Sequence, residues 1–298
     1  MFNFLKGEKT EIAVTLDRPN GTYFPGETIG VTVTITPDKE LKLKKAVVKL
    51  SGSEAYQYLT TTTSTDSEGN ESEEVSYEWA GSELFVSEEN FLGETTLPAG
   101  ATQRYSFQMK IPDEGLPTCI GEIVRLEWQV NVKFTSARFL GSDPQAQADL
   151  RVLSPAPGVQ VQAGEYGGSN EPGEADLALL LPGLEALPGQ LVNGQLRILP
   201  RKDFAAEVRL EMVRDENVSY DRGNQCKKSF PVKLAGKTKF VAGQMLTLPF
   251  QVTIPQDAPP SIQTPNGSII WVIKGVLGRT LRKDTQIEQT IMVYQPKA

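Results

Sequence analysis

The sequence predicts an all-β fold built as two antiparallel β-sandwiches in tandem. It places an N-terminal domain at residues 1–154, a Pro/Gly-rich linker at 155–175 and a C-terminal domain at 176–298. Three observations lead there. Nearly every long apolar stretch alternates with period two, and no long segment carries apolar residues at the i, i+3, i+4, i+7 spacing of a helix. Glycine and proline supply 46 of the 298 residues, so the chain turns often. The order of strands and turns is repeated once along the chain.

Taken in order, Ile12, Val14 and Leu16 alternate with smaller or polar neighbours and make the first strand. Pro25-Gly26 follows; proline presets one φ and glycine permits a positive one, the requirement of a type II turn. Val31, Val33 and Ile35 then alternate with Thr32 and Thr34. Lys42, Lys44 and Lys45 read as a solvated strand face whose charges discourage edge-to-edge aggregation. From Ser53 to Glu94, around TTTTSTDSEGNESEEVSYEW, the first copy is longer than the second, and an exposed hairpin or mobile loop is expected. Tyr105, Phe107, Met109 and Ile111 form the next alternating run, and Pro112 ends it because proline donates no hydrogen bond to a ladder. The clearest strand holds Val124, Leu126, Trp128, Val130, Val132 and Phe134 against Arg125, Glu127, Gln129, Asn131 and Lys133. Trp128 shares the face of five apolar residues and is assigned to the core. In the linker, Val159 and Val161 are expected to form a brief strand.

The second copy opens with Leu177, Leu179 and Leu181, which correspond to Ile12, Val14 and Leu16; Pro188-Gly189 correspond to Pro25-Gly26. AGATQRYSFQMKIP (Ala99 to Pro112) matches AGQMLTLPFQVTIP (Ala242 to Pro255) without a gap. Beyond each Ile-Pro, equating Gly121 with Gly267 sets Lys274-Gly275-Val276 opposite Trp128-Gln129-Val130.

Composition excludes several chemistries. Histidine is absent, which removes Ser-His-Asp and Cys-His catalysis, histidine-ligated metals and imidazole switching. Cys119 and Cys226 are too few for a disulfide framework or a four-thiolate zinc site and read as free thiols of a reducing cytoplasm. The opening MFNFLKGEKT lacks the pattern of a secretory signal, so the N-x-S/T triplets at Asn20, Asn70, Asn217 and Asn266 read as chance matches. Residues 1–154 carry a net charge of -9 and residues 155–298 a net charge of +2, and from Leu50 to Gln103 there are 11 acidic residues and no Lys or Arg. Such a block repels polyphosphate, and no basic run is long enough to argue for an anionic membrane. Asp66-x-Glu68 and Glu71-x-Glu73 lack the spacing of a calcium loop, and like carboxylates on a loop face are not held at a glycosidase separation. No phosphate-binding loop and no dinucleotide fingerprint is present. No cofactor, no metal and no enzymatic activity are therefore expected.

The string Tyr23-Phe24-Pro25-Gly26-Glu27, then Pro98-Ala99-Gly100 and Phe107-Gln108-Met109-Lys110-Ile111-Pro112, continued by Pro117, Gly121 and Trp128-Gln129-Val130, resembles the arrestin fold, with its tandem immunoglobulin-like sandwiches. The N-terminal half looks most like the bacterial sporulation-control (Spo0M-type) branch, which shares the Tyr-Phe-Pro-Gly-Glu string. The second half departs from it, with Leu187-Pro188-Gly189-Gln190 at the turn. The phosphate-sensing elements of visual arrestins find no residue-by-residue counterpart, and PPxY motifs are absent.

The resemblance implies a non-enzymatic cytoplasmic scaffold or regulatory adaptor that binds protein partners, in sporulation, developmental or cell-envelope control. Nucleic acid is not an expected partner, and peripheral membrane association would run through partners. The rival readings are a membrane-trafficking adaptor of the retromer-subunit type and a carbohydrate-binding β-sandwich module. The candidate partner-binding residues are Tyr56 and Tyr58 just before the acidic block, and Asp66, Glu68, Glu71, Glu73 and Glu74 within it. The two tyrosines also fit a cross-strand aromatic pair.

Overall fold

The structure, a computed structural model, describes residues 10–65, 71–137, 143–154, 163–168, 170 and 173–295. All regular structure among them is strand. The first ten strands are β1 (Glu11–Leu16), β2 (Thr22–Tyr23), β3 (Thr28–Thr36), β4 (Leu41–Thr65), β5 (Glu71–Leu92), β6 (Thr95–Leu97), β7 (Gln103–Lys110), β8 (Cys119–Ile120), β9 (Val124–Ser136) and β10 (Gln145–Val152). The second ten are β11 (Gly164–Gly168), β12 (Ala175–Leu181), β13 (Glu185–Ala186), β14 (Leu191–Pro200), β15 (Phe204–Val218), β16 (Asn224–Phe240), β17 (Leu246–Thr253), β18 (Ile262–Gln263), β19 (Gly267–Gly278) and β20 (Thr285–Val293).

They make four sheets, two to a sandwich. In the first sandwich a sheet of order β1-β3-β7 faces one of order β2-β10-β9-β4-β5, with β6 beside β4 and β8 beside β9. The second pairs β11-β12-β14-β17 with β13-β20-β19-β15-β16, with β18 beside β19. Alternation dictates the cores. Val31, Val33 and Ile35 of β3, Val48 and Leu50 of β4, and Leu126, Trp128, Val130, Val132 and Phe134 of β9 are buried in the first. Leu177 and Leu179, Leu196 and Ile198, Leu210 and Met212, and Ile269, Trp271 and Ile273 are buried in the second. Trp128 is core, as the alternation requires.

The Pro-Gly turns form as expected. Gly26 has φ 82° and Gly189 φ 77°, and each turn closes by a hydrogen bond, Glu27 N to Phe24 O at 3.1 Å and Gln190 N to Leu187 O at 3.0 Å. The Glu-to-Gln departure keeps the same clasp: Glu27 Oε2 accepts from Phe24 N and Gln190 Oε1 from Leu187 N, both at 2.8 Å.

The repeat needs one correction. Trp128 Nε1 donates to Leu116 O at 2.9 Å, and Trp271 Nε1 donates to Pro259 O at 3.0 Å. Gly121 N to Val124 O and Thr264 N to Gly267 O are the corresponding backbone bonds, both 2.8 Å. Each second-copy residue lies 143 positions after its counterpart, the offset of the two Ile-Pro pairs. Trp271, not Lys274, is the equivalent of Trp128, and Thr264, not Gly267, that of Gly121. Glycine was a poor anchor because its backbone bond there is open to threonine as well.

The stretch read as a linker also holds a strand. β11 pairs antiparallel with β12, Tyr166 opposite Leu179. Its sequence, GEYGG, gives almost no alternation, and only the ladder reveals it. Val159 and Val161 lie outside the described residues.

Two compact units emerge from the packing. One comprises Met1–Ala55, Gly81–Thr118 and Leu126–Leu153; the other comprises Tyr56–Ala80, Cys119–Arg125 and Ser154–Ala298. The outer half of the β4–β5 hairpin is thus part of the second unit.

Candidate functional site

The acidic block is a ribbon of two long strands. β4 runs 25 residues and β5 runs 22, and β5 is the edge of its sheet. Threonine-rich TTTTST on β4 and alternating VSYEW on β5 suit a pleated conformation. β5 places Val75, Tyr77 and Trp79 on one face and Ser76 and Glu78 on the other. The apolar three are 59%, 62% and 43% exposed. The Arg125 guanidinium lies 4.5 Å from the Trp79 ring centre, so one face of that ring is occupied by a cation.

On the opposite face three tyrosines meet. Tyr56 is 4% exposed; its ring lies 6.5 Å from Tyr58 and 5.2 Å from Tyr220. Tyr58 and Tyr220 sit edge to face at 4.9 Å. The Tyr58 hydroxyl donates to Glu78 Oε2 at 3.2 Å, and desolvation, followed by that bond, raises its pKa. Backbone bonds hold this part of β4: Gln57 N to Ile123 O at 2.9 Å and Leu59 N to Gly223 O at 3.1 Å. Asn224 Nδ2 adds a bond to Gln57 O at 3.1 Å.

Of the seven residues singled out in the sequence, Tyr56 is interior, and Tyr58 packs against Tyr220, which also touches Tyr56. Glu71, Glu73 and Glu74 line the exposed start of β5. Asp66 and Glu68 lie outside the described residues. Sequence reasoning missed Val75, Tyr77 and Trp79, although their period-two spacing was a signal of a strand where a loop was allowed for. It also missed Tyr220, which reaches the cluster from a turn 162 residues beyond Tyr58.

Below this ribbon a carboxylate occupies a seat of backbone N–H groups. Glu216 is 0% exposed. Its Oε1 accepts from Glu122 N at 3.0 Å and its Oε2 from Ile123 N at 2.9 Å and Val124 N at 3.3 Å. Arg214 Nε pairs with Glu216 Oε1 at 2.9 Å, and Arg214 Nη2 with Glu122 Oε1 at 2.9 Å. Gly121 is required here because a Cβ would collide with Glu216 Oε2 and come within 2.7 Å of Val124 O. Cys226 is nearby. Burial, and then the Glu122 and Glu216 carboxylates, raise its pKa, so it stays a thiol and a weak nucleophile. The sequence signal for Glu216 was its register: it falls in phase with the inward Leu210 and Met212.

Elsewhere, Lys45, Lys49 and Lys133 border an open cleft of about 560 Å³ on the solvent face of β4, β9 and β10, lined also by Asn131, Gln145 and Gln147. Lys42 and Lys44 are exposed on β4. Among the described residues no three Cys, Asp or Glu side chains converge as a metal site would require, and no helix is long and apolar enough to cross a membrane.

Residues 12–156, just under half of the chain, match the family model of the arrestin (or S-antigen) N-terminal domain. The first sandwich is therefore arrestin-like, and the two-sandwich, all-β architecture agrees with that family's fold. No curated protein matches the chain.

Proposed function

On the premise of an arrestin-type first sandwich, we propose that this protein is a non-enzymatic scaffold or adaptor whose contact surface for protein partners is the outer β4–β5 hairpin. The observation that carries the reading is the exposed row Val75, Tyr77 and Trp79 on a ribbon whose charges are all acidic. Aromatic side chains held by a sheet offer large contact area at small entropic cost, and isolated exposed apolar residues need no such explanation, whereas a contiguous row does. The carboxylates around it select against nucleic acid and acidic surfaces. In this reading the protein works in the cytoplasm with its cysteines as thiols, and its resemblance to sporulation-control proteins supports a regulatory role in development or cell-envelope control.

The test changes the row and leaves the fold intact. Val75→Ser, Tyr77→Ser and Trp79→Ser are combined in one chain, and partner capture from the native host's lysate is compared with that of the unaltered protein. The expected result is loss of specific partners with the melting temperature within about 2 °C of the parent, since surface changes cost little. Undiminished capture by the triple variant refutes the assignment.

A further inference from the structure

We propose that β5 recognises its partner by strand addition, and that the occupant is an extended peptide segment in which Lys or Arg alternates with β-branched or aromatic residues. This rests on the adaptor reading above and specifies its chemistry.

Among the described residues two long strands lie at sheet edges, β5 and β16, and they are built oppositely. β16, the edge of the β13-β20-β19-β15-β16 sheet, carries Lys227, Lys228, Lys233, Lys237 and Lys239. Pro231 lies in its middle, opposite Glu211 of β15. A proline in an edge strand removes an outward N–H, and its ring obstructs an incoming strand; lysines add charge and bulk. These are the devices that close an edge. β5 carries charge only as glutamate, which repels an acidic strand and admits a cationic one. It holds no proline and no lysine, and its residues from Glu71 to Leu92 are exposed along most of their length. As the edge of its sheet it turns a row of main-chain N–H and C=O groups outward, open to a ladder.

The side chains set what can pair there. Glu73, Val75, Tyr77 and Trp79 project to one side, and Glu74, Ser76 and Glu78 to the other. A strand laid along β5 meets carboxylates on both faces and apolar surface at the centre of one. Cationic residues opposite Glu73, Glu74 and Glu78, with a β-branched or aromatic residue opposite Val75 and Tyr77, satisfy the directly opposed cross-strand pairs. The chain already shows the preference, since Arg125 rests on Trp79. A second copy is a poor occupant. Two β5 strands laid side by side bring acidic segments together with no Lys or Arg on either to offset them, and β16 of another copy is blocked by Pro231.

The test uses the full chain and a fluorescein-labelled probe, Lys-Val-Arg-Val-Thr-Val-Arg-Lys, followed by anisotropy. Two further probes carry N-methyl groups on alternate amides, one set per edge of the peptide, and a fourth replaces its Lys and Arg by Glu. The expected pattern is binding that falls about tenfold or more with one N-methyl set and little with the other, because only one edge of a strand joins the ladder. The Glu probe should not bind, and Glu73→Lys with Glu74→Lys in the protein should weaken the parent probe about tenfold while leaving the melting temperature in place. No binding, or equal sensitivity to both N-methyl sets, overturns strand addition. Concentration-dependent sedimentation of the chain alone overturns the choice of occupant in favour of a second copy. Failure here, with partner capture still lost in the Ser triple variant, leaves the adaptor reading standing. Probe binding with capture unchanged in that variant does the reverse.

Discussion

At the scale of single residues, the Glu216 seat is the most sharply constrained point of the molecule. Three backbone N–H groups and Arg214 converge on one buried carboxylate. Removing one partner of such an arrangement costs more than its formation gains, because the remaining charge stays buried. Glu216→Gln is expected to lower unfolding free energy by about 3 kcal/mol, and Gly121→Ala, which crowds the carboxylate, by about 1–3 kcal/mol; urea unfolding measures both. A second residue-scale network surrounds the first Pro-Gly turn. The Tyr23 hydroxyl donates to Asp17 Oδ1 at 2.6 Å. Burial, then that bond, pushes Tyr23 from 10.0 up to about 12. The folded chain holds this proton more tightly than the unfolded one, so the stabilisation is full below pH 10 and is lost as the pH climbs towards 12. The same hydrogen bond is the main reason Asp17 titrates below 3.8; its contribution is full above that value and is lost as the pH falls through the depressed one. Tyr23→Phe should therefore be less stable by about 1 kcal/mol at neutral pH. The gap to the parent should shrink above pH 11 and again below pH 4, as read from melting curves across pH.

At the scale of elements, the contrast between edges governs behaviour in solution. If proline and lysine keep β16 closed, restoring an N–H should open it. Pro231→Thr is expected to increase self-association on light scattering at unchanged secondary structure, the consequence of an uncovered ladder. An unaltered scattering profile would mean that lysine alone guards the strand. Elements also mark where the sequence was readable. Strands with one dry and one wet face, such as β3 and β9, were legible because burial imposes period two. β11 was not, since Gly164, Gly167 and Gly168 leave no face to read. The outer hairpin fell between these cases: β5 alternates, but both its faces are wet, so polarity left a hairpin and a loop both open, and Val75, Tyr77 and Trp79 carry the signal of the pleat. Tyr56 shows the limit on side-chain fate. Nothing local distinguishes it from Tyr58, and its burial depends on Tyr220 far along the chain.

At the scale of the whole molecule, the tandem plan was visible because turn chemistry is local and was copied with the strands. The site was less so, because its parts come from one strand edge, one distant turn and one buried carboxylate that have no shared motif. The constant displacement of 143 positions has a consequence for how the protein can be altered. From Ala99 to Trp128 and from Ala242 to Trp271 the backbone bonds correspond without insertion or deletion. The two stretches match in length and in backbone bonding, yet they are not interchangeable: a graft of the second into the first would set Thr264 where Gly121 leaves room for the Glu216 carboxylate. What distinguishes the halves is then written partly inside the shared frame, at single positions such as Gly121, and partly outside it, in the hairpin that the first half extends to 25 and 22 residues.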